Sequence, residues 1–488
     1  MKHFKNYHFL VIAALLLCSF AAKAGALNEA KQRNVFAEKG FIHILGPNPA
    51  IITGDKDAWD GWNIESADII KHRHTYYWYY HGRGIKEREN IQKSYKTGKR
   101  EHPMGYRIGI ATAPTPLGPW TKYENNPILD YGPLDTWDGG GNACATVLKA
   151  REPGEGNSEK FYMWYNNIGG QRRAIGLATA PHPLGPWKRY EGNPIVEWPA
   201  GWLCSVMEVN GKLHMYHGGD GVKFSLATAD KPEGPWTMYE HNPLMTRGDW
   251  SAWDDGGHSE GKVLYHEGVF HFFYGGSHSP PPGTPGTSES LESIGYAYSF
   301  DGYKFNRYAA NPVVLWERTP DTSAYGEVQA LVEPPFIYLY HTIRYISRDL
   351  WTAPRGEDLG IQVLSTNPHF RLSMPILNLD LLDPKKHSLL ENCCPVSLQA
   401  ASNLALTIEC NYNAEAKAGL RMHIISSYDG INYDTTDLYT FDNVLQPGRL
   451  ARKTFHLESK AKFITVLVEN LDENESVSDV KITATLGG

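Results

Sequence analysis

The sequence predicts an all-β protein in which a five-bladed β-propeller is followed by a jelly-roll-like β-sandwich. A module made of a strand, a Pro-Gly turn and a short aromatic strand recurs from Ile108, Ile175, Phe224 and Ile294. Apolar aromatic hairpins such as FYMWYNNIGG precede the copies, so each repeat supplies four antiparallel strands. After Pro384 the module stops, and strands with period-two alternation continue without it.

Five segments are expected to form the innermost strands of the blades. They are ESADII from Glu65, ACATVL from Ala143, LCSVMEV from Leu203, EGKVLYHEG from Glu260 and EVQALVE from Glu327. We expect the ring to close by mixing the two ends of the chain. The early residues and the segment around Gln362 to Leu364 would then supply the last outer strands.

Three regions follow from these patterns. Residues 1–24 combine Lys2 and Lys5 with an apolar run and an Ala-Lys-Ala end, which predicts a signal peptide and export to the periplasm or medium. Residues 25–383 are the predicted propeller and catalytic domain. Residues 384–488 are the predicted sandwich, which either caps the propeller or binds sugar.

Composition limits the partners of the chain. The formal net charge of −7 without a basic tract argues against nucleic acid, and no later stretch is apolar enough to insert into a membrane. Five cysteines remain after the signal, so at least one thiol is unpaired within the chain. Cys144 and Cys204 lie at similar places on neighbouring blades and are either bridged or buried thiols. The expected partner is an oligosaccharide or polysaccharide, and the oligomeric state is left open.

Two segments resemble known enzymes. EGKVLYHEGVFHFFYGG, from Glu260, resembles the segment with the general-acid Glu in five-bladed glycoside hydrolases of family 43. ADIIKHRHTYYWYYHG, from Ala67, is similar to the first blade of those enzymes, where an Asp is the general base. Family 117, which releases anhydro-galactose units from algal polysaccharide, is an alternative relative that uses a His as acid. His258 keeps this option open.

The chain departs from family 43 at the catalytic positions. The family's general-base position corresponds to Ser66, so the candidates for the base are the nearby Glu65 and Asp60. The position of the family's pKa-tuning Asp corresponds to Cys144, so the nearest acid for that role is Asp138. The resemblance implies Glu260 as general acid, although it lies in the fourth blade instead of the third. Glu327 has the same register as Glu260 and either shares its role or binds sugar hydroxyls. A Trp-Asp pair occurs three times, and this repetition favours a structural role for Asp60 and Asp138.

Further residues are candidates for binding. Three tryptophans either stack on a sugar ring or pack between blades, and three arginines could meet a uronate or sulfate; they are Trp62, Trp202, Trp250, Arg83, Arg172 and Arg173. No cofactor is required, and a structural divalent cation on the propeller axis stays open. Most histidines are expected to be structural.

The function expected from these features is that of an exported glycoside hydrolase. Converging carboxyl groups would have pKa values pushed apart by burial and mutual repulsion, which supplies one acid and one base. The resemblance implies inversion, and long loops at the mouth favour removal of terminal sugars from a plant or algal glycan. The alternatives are a glycan-binding propeller without catalysis, whose acids do not converge, and a phosphorylase or transglycosidase with a cationic phosphate site near the acid.

Overall fold

The computed structural model describes residues 33–90, 105–168, 174–197, 201–218, 223–278, 292–315, 324–345, 356–458 and 460–488. The predicted signal peptide lies outside this part of the chain. Within it, regular structure is almost entirely β, which confirms the all-β prediction; helical residues are α1 (Val35–Lys39), residues 85–90 and two short 3-10 turns. None of the helices in these ranges has the length and apolar character needed to cross a bilayer.

The described strands up to Ser365 form five antiparallel units. The first contains β2 (Asn63–His72), β3 (Thr75–Arg83), β4 (Arg107–Ala113) and β5 (Thr121–Lys122). The second contains β6 (Asn142–Lys149), β7 (Phe161–Asn167), β8 (Ile175–Ala180) and β9 (Lys188–Arg189). The third contains β10 (Trp202–Val209), β11 (Lys212–Gly218), β12 (Lys223–Ala229) and β13 (Thr237–Met238), with β14 (Met245–Thr246) beside β12. The fourth contains β15 (Gly257–His266), β16 (Val269–Ser277), β17 (Glu292–Ser299) and β18 (Asn306–Arg307).

The fifth unit combines the two ends of this region. It contains β19 (Ala324–Glu333), β20 (Phe336–Arg344), β21 (Glu357–Ser365) and the early strand β1 (Ile42–Leu45). Leu45 pairs with Gln362, so the early residues and the segment around Gln362 supply the outer strands as predicted. One parallel pair, Asn63 with Glu357, also joins this unit to the first.

Each inner strand carries a β-bulge at the same place. In every unit the register of the inner strand against the second strand shifts between two nearby residues. From the first unit to the fifth these pairs are Ser66/Asp68, Ala143/Thr146, Leu203/Ser205, His258/Gly261 and Gly326/Gln329. A bulge bends the strand and turns a side chain out of the regular alternation. Glu260 and Glu327 both lie within bulges, so this irregularity decides where two of the candidate acids point.

Polar side chains link four pairs of neighbouring units. Asp68 Oδ2 accepts a hydrogen bond from Val147 N at 2.6 Å, and Thr146 Oγ1 accepts one from Val206 N at 3.2 Å. Ser205 Oγ accepts from Val263 N at 3.1 Å, and Thr342 Oγ1 accepts from Ser66 N at 2.9 Å. These hydrogen bonds satisfy the backbone N–H groups that strand pairing leaves free and link consecutive units.

The Trp-Asp pair fixes the loop before the inner strand to the rest of its own unit. In the fourth unit the ring of Trp253 packs on Tyr274, with ring centroids 5.6 Å apart, and lies against Gly295. Asp254 Oδ2 accepts a hydrogen bond from Arg307 Nε on the outer strand at 2.9 Å. The glycine in the repeated Ile-Gly motif is therefore required for space, since a side chain there would occupy the volume of the tryptophan ring.

The C-terminal region consists of two four-stranded antiparallel sheets with a shared apolar core. One sheet has the order β22 (Arg371–Leu382), β29 (Val477–Gly487), β24 (Asn403–Tyr412) and β27 (Leu450–Glu458). The other has the order β23 (Val396–Ser397), β28 (Phe463–Asn470), β25 (Leu420–Ser427) and β26 (Tyr439–Asp442). Because β22 pairs with β29, these sheets begin at Arg371, before the expected boundary at residue 384. The change in composition at Pro384 marks the turn after the first strand.

The five cysteines of the described residues are all free thiols. Cys144 and Cys204 are both buried, which agrees with the alternative of buried thiols and not with a bridge between them. The fold is therefore held by strand pairing, packing and polar contacts, without covalent crosslinks between these cysteines.

Gly295→Ala is expected to destabilise the protein, because the added methyl group would collide with the ring of Trp253. Overpacking of this kind typically costs about 1–3 kcal/mol. Urea unfolding measures the change. Gly218→Ala is the matched control, since this strand glycine has no neighbouring atom within 4 Å of the new methyl position and should keep wild-type stability. Equal stability of both variants would contradict the packing role of Gly295.

Candidate functional site

Strands of the first, fourth and fifth units bring a group of glutamates together. This glutamate cluster consists of Glu65 on β2, Glu260 on β15, Glu292 on β17, Glu327 on β19 and Glu357 on β21. The last three are buried, whereas Glu65 and Glu260 are partly exposed. The two catalytic candidates from the first and fourth units therefore both reach solvent, while the other three glutamates lie behind them.

Arg344, at the end of β20, contacts three members of the cluster. Its Nε donates to Glu357 Oε1 at 3.0 Å, while Nη1 donates to Glu292 and Nη2 to Glu327. One partly buried guanidinium thus faces three carboxyl groups. Since uncompensated buried charge is costly, this imbalance favours protonation of some of these glutamates at neutral pH.

Glu65 is surrounded by groups that favour its ionised form. His81 Nε2 lies 3.0 Å from Oε2, Asn63 Nδ2 donates to Oε1 at 2.8 Å, and the Tyr106 hydroxyl also donates to Oε1. Burial alone would raise the pKa of Glu65. The interactions with His81, Arg83 and Arg344 outweigh burial, so the pKa lies below its usual range and Glu65 is a carboxylate.

Glu260 has the opposite tendency. Burial raises the pKa of Glu260, and Cys144 Sγ lies 3.4 Å from its Oε1. The backbone N–H of Cys144 in turn points to His81 Nδ1 at 3.4 Å. His81 and Cys144 therefore lie between Glu65 and Glu260. Of these two partly exposed glutamates, Glu260 holds its proton more tightly.

Two buried members of the cluster also favour the protonated form. Burial raises the pKa of Glu327 well above its usual value, and Glu327 Oε2 has no hydrogen-bond partner among the described residues. Burial and the charge of Glu65 raise the pKa of Glu357 to about 8. Glu327 also has a left-handed backbone, with φ at 46°, which is strained for a residue with a side chain.

The aromatic candidates differ in their surroundings. Trp62 is only 1% exposed, because the Arg83 guanidinium covers its ring at 4.5 Å, so it is not the exposed stacking surface suggested by the sequence. Arg83 is itself buried, lies 4.1 Å from the ring of Tyr106 and donates to Asn63 Oδ1 at 3.1 Å. Trp202 packs partly buried against the apolar core of the second and third units, whereas Trp250 is 83% exposed.

Asp60 and Asp138 lie in structural contacts of their own units. Asp60 Oδ2 accepts from Lys122 Nζ at 2.5 Å, and Asp138 Oδ2 accepts from Arg189 Nε at 2.9 Å. The same contact occurs at Asp254, so the arrangement is repeated and serves the fold in three units. His258 is the second residue of β15, and its ring packs edge-on against Tyr274 with 5.9 Å between the ring centroids. Arg172 and Arg173 lie outside the described residues.

Sequence reasoning missed several members of the site. His81 pairs directly with Glu65 across β2 and β3, and this register could have been read from the predicted hairpin. Arg344, Glu292 and Glu357 come from the ends of strands next to long connections, where period-two alternation gives no information. The sequence signal for these three residues is a charged side chain at the end of an otherwise apolar strand, without an opposite charge beside it in the sequence.

A metal at the inner strands stays a prediction. Asp68, which lies on an inner strand, is compensated by Lys262 from the fourth unit, with Nζ 2.5 Å from Oδ1. Within the described ranges, the one group of three metal-ligating side chains with mutual distances within 4.8 Å is His387, His423 and Glu469. That group lies in the C-terminal sheets, away from the glutamate cluster.

Comparisons with known proteins give structural neighbours only. No family model matches the chain, and no curated protein matches it. Solved structures similar to this chain include Zg3597, a family 117 glycoside hydrolase produced by the marine bacterium Zobellia galactanivorans. The two proteins have 15% sequence identity and a TM-score of 0.43, and the match covers 67% of this chain and 89% of that one. A thermostable family-43 glycoside hydrolase has 16% identity, TM-score 0.41 and coverage of 65% and 91%. A putative glycoside hydrolase from Parabacteroides distasonis has 14% identity, TM-score 0.46 and coverage of 68% and 99%. The solved structures similar to this chain thus include members of families 43 and 117.

The pH dependence of stability should reveal the buried Glu357. Its pKa of about 8 in the folded state exceeds the usual value of about 4.3, so its contribution is fully present below pH 4 and is lost as pH rises through 8. Urea unfolding at pH 5 and pH 8 should show a smaller loss of stability in Glu357→Gln than in wild type. Glu191→Gln, at an exposed position, is the control. The same loss in all three proteins would show that Glu357 titrates normally.

Proposed function

We propose that this protein is a glycoside hydrolase that removes terminal sugars from a plant or algal glycan with inversion. The observation that carries the proposal is the pair of partly exposed glutamates with opposite proton affinity, Glu65 and Glu260. Hydrolysis of a glycosidic bond needs one protonated and one ionised carboxyl group at the same site. A glycan-binding surface without catalysis would not need this difference.

Each glutamate then has a defined role. Glu260 donates its proton to the glycosidic oxygen as the bond to the anomeric carbon breaks. Glu65 accepts a proton from the attacking water, whose oxygen forms the new bond to that carbon. His81, with Nε2 3.0 Å from Glu65, and Arg83 keep the base ionised before the reaction.

The remaining cluster members support these roles. Arg344 positions Glu327 and Glu357, and the negative charge of Glu65 helps to keep Glu357 protonated. Glu327 Oε2, which has no hydrogen-bond partner among the described residues, is available to a sugar hydroxyl after a small movement. Glu327 is therefore a binding residue in this mechanism.

We further propose that the five antiparallel units are the blades of one closed propeller. The hydrogen bonds that link the fifth unit to the first, the first to the second, the second to the third and the third to the fourth support a ring. The contact of Arg344 with Glu292 bridges the fifth and fourth units. The two C-terminal sheets, with their shared core, would form the accessory sandwich.

Export is also a proposal, because it rests on the sequence of residues 1–24. Mass spectrometry of the mature N-terminus, from protein made in its native host, should find a chain that lacks these residues. A mature chain that begins at Met1 would contradict both the signal peptide and the periplasmic or extracellular location.

Glu260→Gln tests the general acid. The variant keeps the shape of the side chain but has no transferable proton, so hydrolysis of natural glycosides should fall about 10²- to 10⁴-fold. Aryl glycosides with nitrophenol leaving groups should lose less activity, because their departure needs little protonation. Glu65→Gln should slow both substrate classes alike, since water must be activated in either case.

Glu208→Gln, a substitution at the other end of an inner strand, is the matched control and should retain full activity. Initial rates on both substrate classes, with circular dichroism as a folding check, measure these effects. Near wild-type turnover of Glu260→Gln on a natural glycan would exclude Glu260 as the acid and turn attention to Glu327 and His258.

A further inference from the structure

Two histidines and a glutamate meet on the outer face of the C-terminal sheets. His423 on β25 and Glu469 on β28 are diagonal neighbours, because His423 pairs with Leu467 and Arg421 pairs with Glu469. His387 forms an isolated bridge with Glu469. One ligand atom from each of the three side chains lies within 4.8 Å of the other two.

We propose that His387, His423 and Glu469 bind a zinc ion, with water as the fourth ligand. Imidazole nitrogen and carboxylate oxygen are zinc ligands, and three protein ligands plus water is a common tetrahedral arrangement. Bonds of about 2.0–2.2 Å in a tetrahedral site place ligand atoms about 3.3–3.6 Å apart. His423 Nε2 and Glu469 Oε2 are already 3.3 Å apart.

Asp437 supplies the outer contact that such a site requires. Its Oδ2 lies 2.8 Å from His423 Nδ1, and Thr440 Oγ1 donates to the same carboxylate oxygen at 3.0 Å. A metal-ligating histidine usually donates its second ring N–H to a carboxylate, which fixes the ring and its tautomer. With the proton on Nδ1, the Nε2 lone pair faces Glu469, and a cation between these two acceptors removes their repulsion.

The backbone around the site is well supported. Ser388 N donates to Val468 O at 2.8 Å, and Asn470 N donates to Lys386 O at 2.9 Å, so the segment of residues 386–388 runs along β28. Two ligands therefore lie on paired strands, and His387 is exposed, so its ring can turn toward the other two. Zinc would fasten this segment to the sheet and should protect it from proteolysis.

Zinc binding to the full chain is the first test, measured at pH 7.5 by competition with a fluorescent zinc indicator. His423→Gln and Glu469→Gln should weaken the tightest site by at least tenfold. Asp437→Asn, which leaves all three ligands in place, should weaken it about 10- to 100-fold. His456→Ala is the matched control, because this exposed histidine lies on the other sheet and should leave the affinity unchanged.

Two readouts identify the site independently of affinity. Co²⁺ should give the intense visible absorption of a four-coordinate ion in wild type and in His456→Ala, but not in His387→Ala. Zinc should also slow tryptic cleavage after Lys385 and Lys386 in the same two proteins. Calcium, which prefers oxygen ligands, should have neither effect.

Wild-type zinc affinity in both His423→Gln and Asp437→Asn would overturn the proposal, as would equal protection of the segment by calcium. Circular dichroism of the metal-free variants separates loss of ligands from loss of folding. Asp437→Asn keeps the test valid if a ligand substitution unfolds the sheet. The outcome is independent of the glycosidase proposal, since none of these residues lies in the glutamate cluster.

Discussion

The contact of Arg344 with three buried glutamates is the interaction on which the rest of the site depends. Glu292, Glu327 and Glu357 come from the fourth and fifth units, and the guanidinium holds all three at one point. Because one positive charge cannot compensate three negative ones, protons must remain on part of the cluster. Burial, together with the charge of Glu65, raises the pKa of Glu357 to about 8, while the pKa of Glu65 lies below its usual range and Glu65 stays ionised.

The asymmetry between Glu65 and Glu260 follows from their neighbours and not from their degree of burial. Both are partly exposed, yet Glu65 lies 3.0 Å from His81 Nε2 and accepts hydrogen bonds from Asn63 and Tyr106, whereas Glu260 has the weakly polar Cys144 thiol as its close contact. Cys144 places a neutral thiol, and not a further carboxylate, beside Glu260. Arg344 and its glutamate partners therefore dominate the charge balance of the cluster.

The sequence was a good guide to repeated features and a poor one to features that occur once. The module, the inner strands and the pairing of early residues with the segment around Gln362 could be predicted because each depends on local patterns that recur. The Trp-Asp pair that contains Asp60 and Asp138 recurs in the same way, and the contacts of these two side chains with Lys122 and Arg189 lie within single units. Arg344 and Glu357 were not found, because these cross-strand partners lie at the ends of β20 and β21, where alternation gives no information. β22 lies before the change in composition at Pro384 and yet pairs with β29 in the C-terminal sheets, so composition alone does not mark where these sheets begin.

The contacts within and between units divide the chain into positions with different freedom to change. Each Trp-Asp pair holds its own unit together. Each hydrogen bond that links two neighbouring units needs only one hydroxyl or carboxylate side chain. Side chains within the bulges take part in neither set of contacts, which is why one position of the repeat can carry Cys144, Glu260 or Glu327 in different units. Evolution can therefore alter the chemistry of this protein by point substitution at the bulges, while the scaffold that presents them accumulates almost no change.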